Sequence, residues 1–468
     1  MNRHLFARRA AVAGPLLLSA ALLTGCINLA PDYERPGLPV PGALPAGAAA
    51  ASDAPLATNE LLRDERLRKV VQQALANNRD LRVAMLNIER SRAQLRLADA
   101  DRWPTLAAAV NATRAPSTAT GDQVNAFQAG LQVTSYELDL FGRVRNVSNA
   151  AAASLLATEA GSRTARLALV TQVVSTWFTL AADQEQLALA KQTLAGREQT
   201  LKLTELRARV GAASDVELYG TRGLLAQAQA SVAQLERQAA QDANALALLV
   251  GQPVAAEALP SADAPLNSDA LAAVPAGAQS DLLLRRPDVI QAEQTLIAAN
   301  ANIGAARAAM FPRIALSGSA GVVSDTLSGL VNSGTFAWTL AGNAALAIFD
   351  AGRNQANVKV AEVNRDIAVA QYEKAIQSAF RETADALVAQ ATWRDQVSAQ
   401  QALQTGERER LRLTRMRYEA GAANLVELLD SERSLAAADQ ALVLARLGEL
   451  LNRLALYKAL GGEERAAS

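Results

Sequence analysis

Histidine and cysteine each occur once in these 468 residues, as His4 and Cys26. If the first 25 residues are a cleaved leader, the mature chain has no imidazole at all. That excludes Ser-His-Asp and Cys-His nucleophile systems and every histidine-containing metal site, and leaves an enzyme only carboxylate chemistry. Aromatic residues are also scarce, at 4% against 50% hydrophobic, the excess being alanine and leucine. Such a composition favours helices packed closely side by side over a thick globular core. Charge of one sign is lacking too. The 46 basic and 46 acidic residues cancel, and losing Arg3, Arg8 and Arg9 with a leader leaves 43 against 46, a net charge of −3. Nothing in that balance attracts nucleic acid. The apolar run over residues 10–23 is too short for a comfortable membrane span, and no other stretch reaches about 18 apolar residues.

Residues 1–25 have the form of a secretory signal, with a basic start, an apolar run and then Leu23-Thr24-Gly25-Cys26. The tetrapeptide resembles the bacterial lipobox, which implies cleavage before Cys26 and acyl chains on that residue. The lipid would be the only attached group, since nothing else in the sequence suggests a cofactor or a metal site. Ile27 follows the cysteine where an aspartate is associated with inner-membrane retention, so delivery to the outer membrane is expected.

Residues 26–58 hold Pro31, Pro36, Pro39, Pro41 and Pro45 among glycine and alanine, the composition of an extended strap. A helical pattern then runs from near Asn59 towards Ala100 and ends at Trp103-Pro104. The period next changes to two: Phe127, Ala129, Leu131 and Val133 alternate with Gln128, Gly130, Gln132 and Thr134. That predicts a strand with one apolar and one polar face, paired with an earlier strand over 105–113. From Arg143 to Gln252 there is no proline, and a single helix over residues 143–209 would span about 100 Å at roughly 1.5 Å per residue.

Such a helix must end somewhere, and the residues that end it occur twice. Arg207, Gly211, Ala212, Ala213, Val216, Glu217 and Leu218 match Arg417, Gly421, Ala422, Ala423, Val426, Glu427 and Leu428 at a constant offset of 210. Basic residues in the last turn meet the negative end of the helix dipole, and glycine takes the left-handed closing conformation. Each copy is therefore a hairpin tip. The duplication extends through the chain: Trp103-Pro104 parallels Phe311-Pro312 at 208, and Gly142-Arg143 parallels Gly352-Arg353 at 210, with Asp350-Ala351 as the inserted pair. The predicted organisation is a first repeat over 59–251, a proline-marked linker over 252–279, a second repeat over 280–461 and a tail over 462–468. Strands in the second repeat are expected over 314–322 and 335–349.

Each half supplies two amphipathic strands, so one chain offers four. Four strands cannot close a barrel, and two, three or four chains would give eight, twelve or sixteen. The expected fold class is α+β, mainly α: a transmembrane β-barrel completed by other copies and continuing into long periplasmic helices, built from two internal repeats.

Several longer motifs carry a family resemblance. Tyr136-Glu-Leu-Asp-Leu-Phe-Gly-Arg143, the segment from Val274 to Asp288 containing Asp-Leu-Leu-Leu-Arg-Arg-Pro-Asp, Ala301-Asn-Ile-Gly-Ala-Ala-Arg-Ala-Ala309, Ala368-Val-Ala-Gln-Tyr-Glu-Lys-Ala-Ile-Gln377 and Leu456-Tyr-Lys-Ala-Leu-Gly-Gly462 resemble the outer-membrane factor family of TolC and OprM, closest to its lipoprotein branch. The resemblance implies a homotrimer with a twelve-stranded barrel in outer-membrane lipid and a periplasmic helical tunnel. It implies a passive exit duct for small molecules such as drugs, not an enzyme, that meets a periplasmic adaptor and an inner-membrane transporter of the proton-driven RND type. It also places a gate at Val426, Glu427 and Asp430 and adaptor contacts at Gly211, Ala212, Gly421 and Ala422. Read without the family, both acids are ordinary solvated helix-face charges, and the tip glycines are plain turn chemistry. The competing function is a structural or adaptor-like envelope lipoprotein, which the duplicated strand pairs disfavour.

Overall fold

The computed structural model describes residues 27–44, 57–116, 121–261, 266–274, 280–331 and 334–462. The expected leader over 1–25, Cys26 and residues 463–468 lie outside them. The first repeat contains α1 (Thr58–Leu61), α2 (Glu65–Asn77), α3 (Arg79–Ala100), β1 (Leu106–Pro116), β2 (Gln123–Leu138), α4 (Arg143–Arg209) and α5 (Asp215–Val250). The second contains α6 (Pro287–Ala308), β3 (Arg313–Ser324), β4 (Phe336–Ala345), α7 (Arg353–Glu419) and α8 (Leu425–Ala459). α4 and α7 are each 67 residues long, and each starts on a carboxylate. Asp139 accepts from the Arg145 backbone N–H at 2.7 Å, and Asp350 accepts from Gly352 and Asn354 at 2.9 and 3.0 Å. The inserted pair Asp350-Ala351 thus brings its own helix cap.

Two expected elements differ. The one helix predicted from Asn59 to Ala100 is three, because capping side chains offer the backbone a better partner than helix continuation. Asp64 accepts from Arg66 and Leu67 N–H groups at the start of α2. Asn78 accepts from Leu81 N–H and donates to the Leu249 carbonyl at 2.8 Å, so the break also pins the end of α5. Among its described residues, the proline-marked stretch 252–279 carries short 3₁₀ turns, buries Ala258, Leu266, Leu271 and Val274, and bridges Leu271 to Leu62. Trp177 donates its indole N–H to the Ala258 carbonyl at 3.2 Å. β4 stops at Ala345, short of Phe349, and leaves Ile348 and Phe349 exposed.

Two compact units are each assembled from both repeats. One comprises Met1–Gly37, Asn87–Glu159 and Gln291–Tyr372; the other Leu38–Leu86, Ala160–Ile290 and Glu373–Ser468. The first holds an antiparallel sheet in the order β1-β2-β3-β4, with Ala150, Ala153, Ala298 and Ala301 letting its helices approach closely. Phe141 stacks on Phe311, ring centroids 4.7 Å apart. The second unit owns the main core, in which Leu67, Val70 and Val71 of α2 meet Val173, Val174 and Phe178 of α4, Leu246 of α5 and Leu450 of α8. Each such side chain contributes about 1.5–3 kcal/mol on full burial. α4 alone among the described helices is apolar enough to cross a membrane, and half of that stretch is buried within the chain. Its apolar run is therefore accounted for by core packing.

Candidate functional site

Strand register decides what each face of the sheet can touch. Leu106, Ala108 and Val110 lie opposite Val133, Leu131 and Ala129; those lie opposite Gly318, Ala320 and Val322; and these opposite Leu340, Trp338 and Phe336. Directly opposed residues share a face, so one side of all four strands is apolar, with Val110, Trp338 and Leu340 each about 70–80% exposed. The other side carries Gln128, Ser319 and Thr339, linked by Gln128 to Ser319 and Ser319 to Thr339 hydrogen bonds. An apolar outer band with a polar interior is the pattern of a barrel wall in lipid. Among the described residues β1 and β4 are unpaired on their outer edges, and such open edges are untenable in hydrocarbon. Further copies must complete the sheet.

The strap predicted over 26–58 is extended over 27–44, while Thr58 already belongs to α1, and the strap's first ten described residues are held by backbone and side-chain groups of the strand-bearing unit. Ile27 N–H donates to the Leu140 carbonyl at 3.1 Å, Asn146 donates to the Asn28 side chain at 2.8 Å, and Asn300 to the Pro31 carbonyl at 2.8 Å. Glu293, only 6% exposed, accepts from Arg35 at 2.6 Å and from the Tyr33 hydroxyl at 3.1 Å. Burial, and then the neighbouring Glu293 charge, push the Tyr33 hydroxyl up to about 12. Tyr33 therefore stays protonated and remains a donor. Sequence reading found the strap through its prolines but not Glu293, which has no local signature.

The two tips are nearly superimposable in their backbone bonding. At the first, Ala212 N–H reaches the Arg207 carbonyl at 2.7 Å and Gly211 N–H the Ala208 carbonyl at 3.0 Å, with Gly211 at φ +76°. At the second, Ala422 reaches Arg417 at 2.7 Å and Gly421 reaches Tyr418 at 3.0 Å, with φ +74°. This is the Schellman closure that glycine favours. Gly211, Ala212, Gly421 and Ala422 are all exposed. The outgoing helices then diverge. Ser214 and Glu217 close a reciprocal capping box on α5, whereas α8 is capped by Asn424 alone.

That difference frees Glu427 for another partner. Its carboxylate lies 3.9 Å from Arg417, which also donates to the Ala422 carbonyl. Asp430 sits between two guanidiniums, Arg410 of α7 at 2.7 Å and Arg433 at 2.6 Å. The two acids expected at a gate are therefore charge-compensated within the chain and clasp α7 to α8. Val426 is 73% exposed and lines, with Asp430, Arg433, Leu224 and Arg197, a cavity of about 490 Å³. Arg197 of α4 also reaches Glu432 of α8 at 2.8 Å, both largely buried. Nearer the tips, Arg207 donates to the Tyr418 hydroxyl at 3.0 Å. Sequence reading missed Arg197, Glu432 and Arg410. A signal was available for one of them: Glu205 pairs with Arg222 across the first hairpin and Arg415 with Glu432 across the second, the same positions 210 apart with the charges exchanged.

Comparison with known proteins agrees with this architecture. The family described as Outer membrane efflux protein matches residues 70–252 and 278–462. The solvent efflux pump outer membrane protein SrpC of Pseudomonas putida is 43% identical over 96% of this chain and 97% of its own length. The cation efflux system protein CusC of Escherichia coli is 39% identical over 95% and 97%. Among solved structures, the open state of the MtrE outer membrane channel of Neisseria gonorrhoeae matches with a TM-score of 0.84 at 37% identity, covering 93% of this chain and 98% of that one. With four amphipathic strands left open at both edges, paired long hairpins and this likeness over nearly its whole length, the chain belongs to the outer membrane efflux protein family, the trimeric outer-membrane channels of tripartite efflux systems.

Proposed function

We propose that the chain is a cargo-indifferent exit duct served by a proton-driven inner-membrane transporter of the RND type, closed at rest by Val426, Glu427 and Asp430, joined to its adaptor at the Gly211-Ala212 and Gly421-Ala422 tips, and anchored by lipid on Cys26. Indifference to cargo is supported by two relatives of similar identity, one named for solvent efflux and the other for cation efflux. Small molecules such as drugs and solvents are therefore the expected cargo class, selected upstream. Lipid on Cys26 is supported by the sole cysteine standing at the lipobox position and by Ile27, the next residue, being tied to Leu140 two residues beyond β2. Mass spectrometry of the mature N-terminal peptide reads it directly: an acyl mass is expected, and a free Cys26 rules it out.

The observation that carries the gate is the clasp of Arg410 and Arg417 on Asp430 and Glu427. Exposed ion pairs are individually weak, about 0.2–1 kcal/mol, so a gate held by them opens with modest input. Planar-bilayer recordings on wild type and the Glu427→Ala, Asp430→Ala double variant test it. Raised resting conductance in a correctly assembled trimer is expected; unchanged conductance removes these acids from the gate and leaves Val426. Tryptophan at Ala212 and Ala422 should abolish adaptor crosslinking while trimers still form, and retained crosslinking refutes the tip contact.

A further inference from the structure

A pair of facing carboxylic acids, Asp183 buried and Asp242 half-buried, lies along the first hairpin away from its tip. Asp183 of α4 is 4% exposed. Its carboxyl lies beside that of Asp242 on α5, with Gln238, one turn before Asp242, next to it. Asp183 Oδ2 and Asp242 Oδ2 are both shut off from solvent and, among the described residues, meet no donor. Two ionised carboxylates have only acceptors to offer each other, so this contact requires a proton between them.

The second hairpin is an internal control. At the same offset of 210 residues, Asp183, Gln238 and Asp242 become Trp393, Gly448 and Asn452. The Trp393 ring occupies the space a side chain at Gly448 would need, and Asn452 donates to the Ala386 carbonyl at 3.1 Å. One hairpin fills the gap between its helices with an indole; the other fills it with two acids.

We infer that Asp183 and Asp242 share one proton, which joins α4 to α5 in acid and is lost in alkali, making the first hairpin alone responsive to pH. Burial, followed by the hydrogen bond to and charge of Asp242, raises Asp183 to about 7, and the Gln238 hydrogen bond opposes this only in part. Among the described residues no cation acts on Asp183. Glu185, the next acid along α4, is engaged by the Leu266 N–H at 2.8 Å, and Lys191 of α4 is engaged by Glu236 of α5 at 3.0 Å. A carboxyl raised above its ordinary value of 3.8 stabilises the fold fully below that value and loses its contribution as pH rises through about 7. Above that point the proton goes to bulk water, and two negative charges face each other across the same gap.

The detergent-solubilised trimer tests this by two readouts. Infrared difference spectra between about pH 5 and about pH 9 should contain a protonated-carboxyl C=O band that is absent from Asp183→Asn. Over the same interval the wild-type melting temperature should fall by ~4 °C more than that of Asp183→Asn. The amide of that variant donates permanently to Asp242 and mimics the shared proton. Asp242→Asn supplies the reciprocal comparison if Asp183→Asn does not assemble. A wild-type spectrum without the band overturns the inference, as does a wild-type pH dependence that survives in either variant.

Discussion

Removing the Arg197 guanidinium isolates a buried ion pair between the two hairpins. Its side chain is 9% exposed and meets Glu432, 18% exposed, at 2.8 Å. Breaking a buried pair from one side costs about 3–5 kcal/mol, because the remaining charge stays buried without its partner. Here Glu432 keeps a second guanidinium, Arg415 at 3.4 Å, so Arg197→Ala is expected to cost roughly 2 kcal/mol per protomer. A loss of that size multiplies the local opening equilibrium by about 30. Because Arg197 lines the same cavity as Val426 and Asp430, the expected readout is a higher resting conductance in planar bilayers and a lower melting temperature of the trimer. A double-mutant cycle with Glu432→Ala separates the pair from its surroundings. Full additivity of the two single variants, or unchanged conductance in Arg197→Ala, refutes the reasoning. The Arg197→Met, Glu432→Leu double variant should recover stability, since apolar replacement of a buried pair is often neutral.

Two further substitutions test the sheet and the strap. Gly130 and Gly321 face each other across β2 and β3, and a Cβ on Gly321 would collide with the Ala129 carbonyl and the Gly130 backbone. Gly321→Val should therefore cost about 1–3 kcal/mol by overpacking and lower the yield of folded trimer in heat-modifiability gels; a normal yield shows that the strands can part. Arg35→Ala strips the buried Glu293 of its cation and leaves it the Tyr33 hydroxyl. Accelerated protease cleavage between residues 27 and 44 is expected, and wild-type cleavage rates refute the role given to Glu293.

Legibility in the sequence followed the range of each signal. α4 runs from Arg143 to Arg209, the span considered for a single helix, because its limits are written locally in Gly142 and Gly211. The strands were found through alternation, and β4 was overextended because Leu346 and Ile348 continue the alternating pattern after its ladder has ended. Asn78 was passed over because one asparagine in a helical pattern does not announce a bond to Leu249, 171 residues away. The residues proposed for the gate came from resemblance alone. Their partners Arg410 and Arg417 lie on the other arm of the hairpin, and only the crossing of the helices brings them together.

The duplication explains why the backbone was easier to read than the site. Glycine closures and helix length are set by positions that recur at 208 or 210, and both copies must satisfy them to fold at all. Side chains between the arms of a hairpin need only be complementary to each other. Glu205 with Arg222 and Arg415 with Glu432 are equivalent solutions of opposite sense, and two acids or an indole can occupy the same gap. Each exchange leaves the fold intact while changing what the hairpin responds to. Positions where the two repeats agree therefore report folding requirements, and positions where they disagree report how the two hairpins have been set to different tasks. Arg197 follows that rule: 210 residues on stands Glu407, which pairs with Arg410 on its own helix at 3.3 Å. The cross-hairpin tie thus exists in one direction only, and replacing Arg197 should loosen the cavity behind Val426 without a compensating tie from the other repeat.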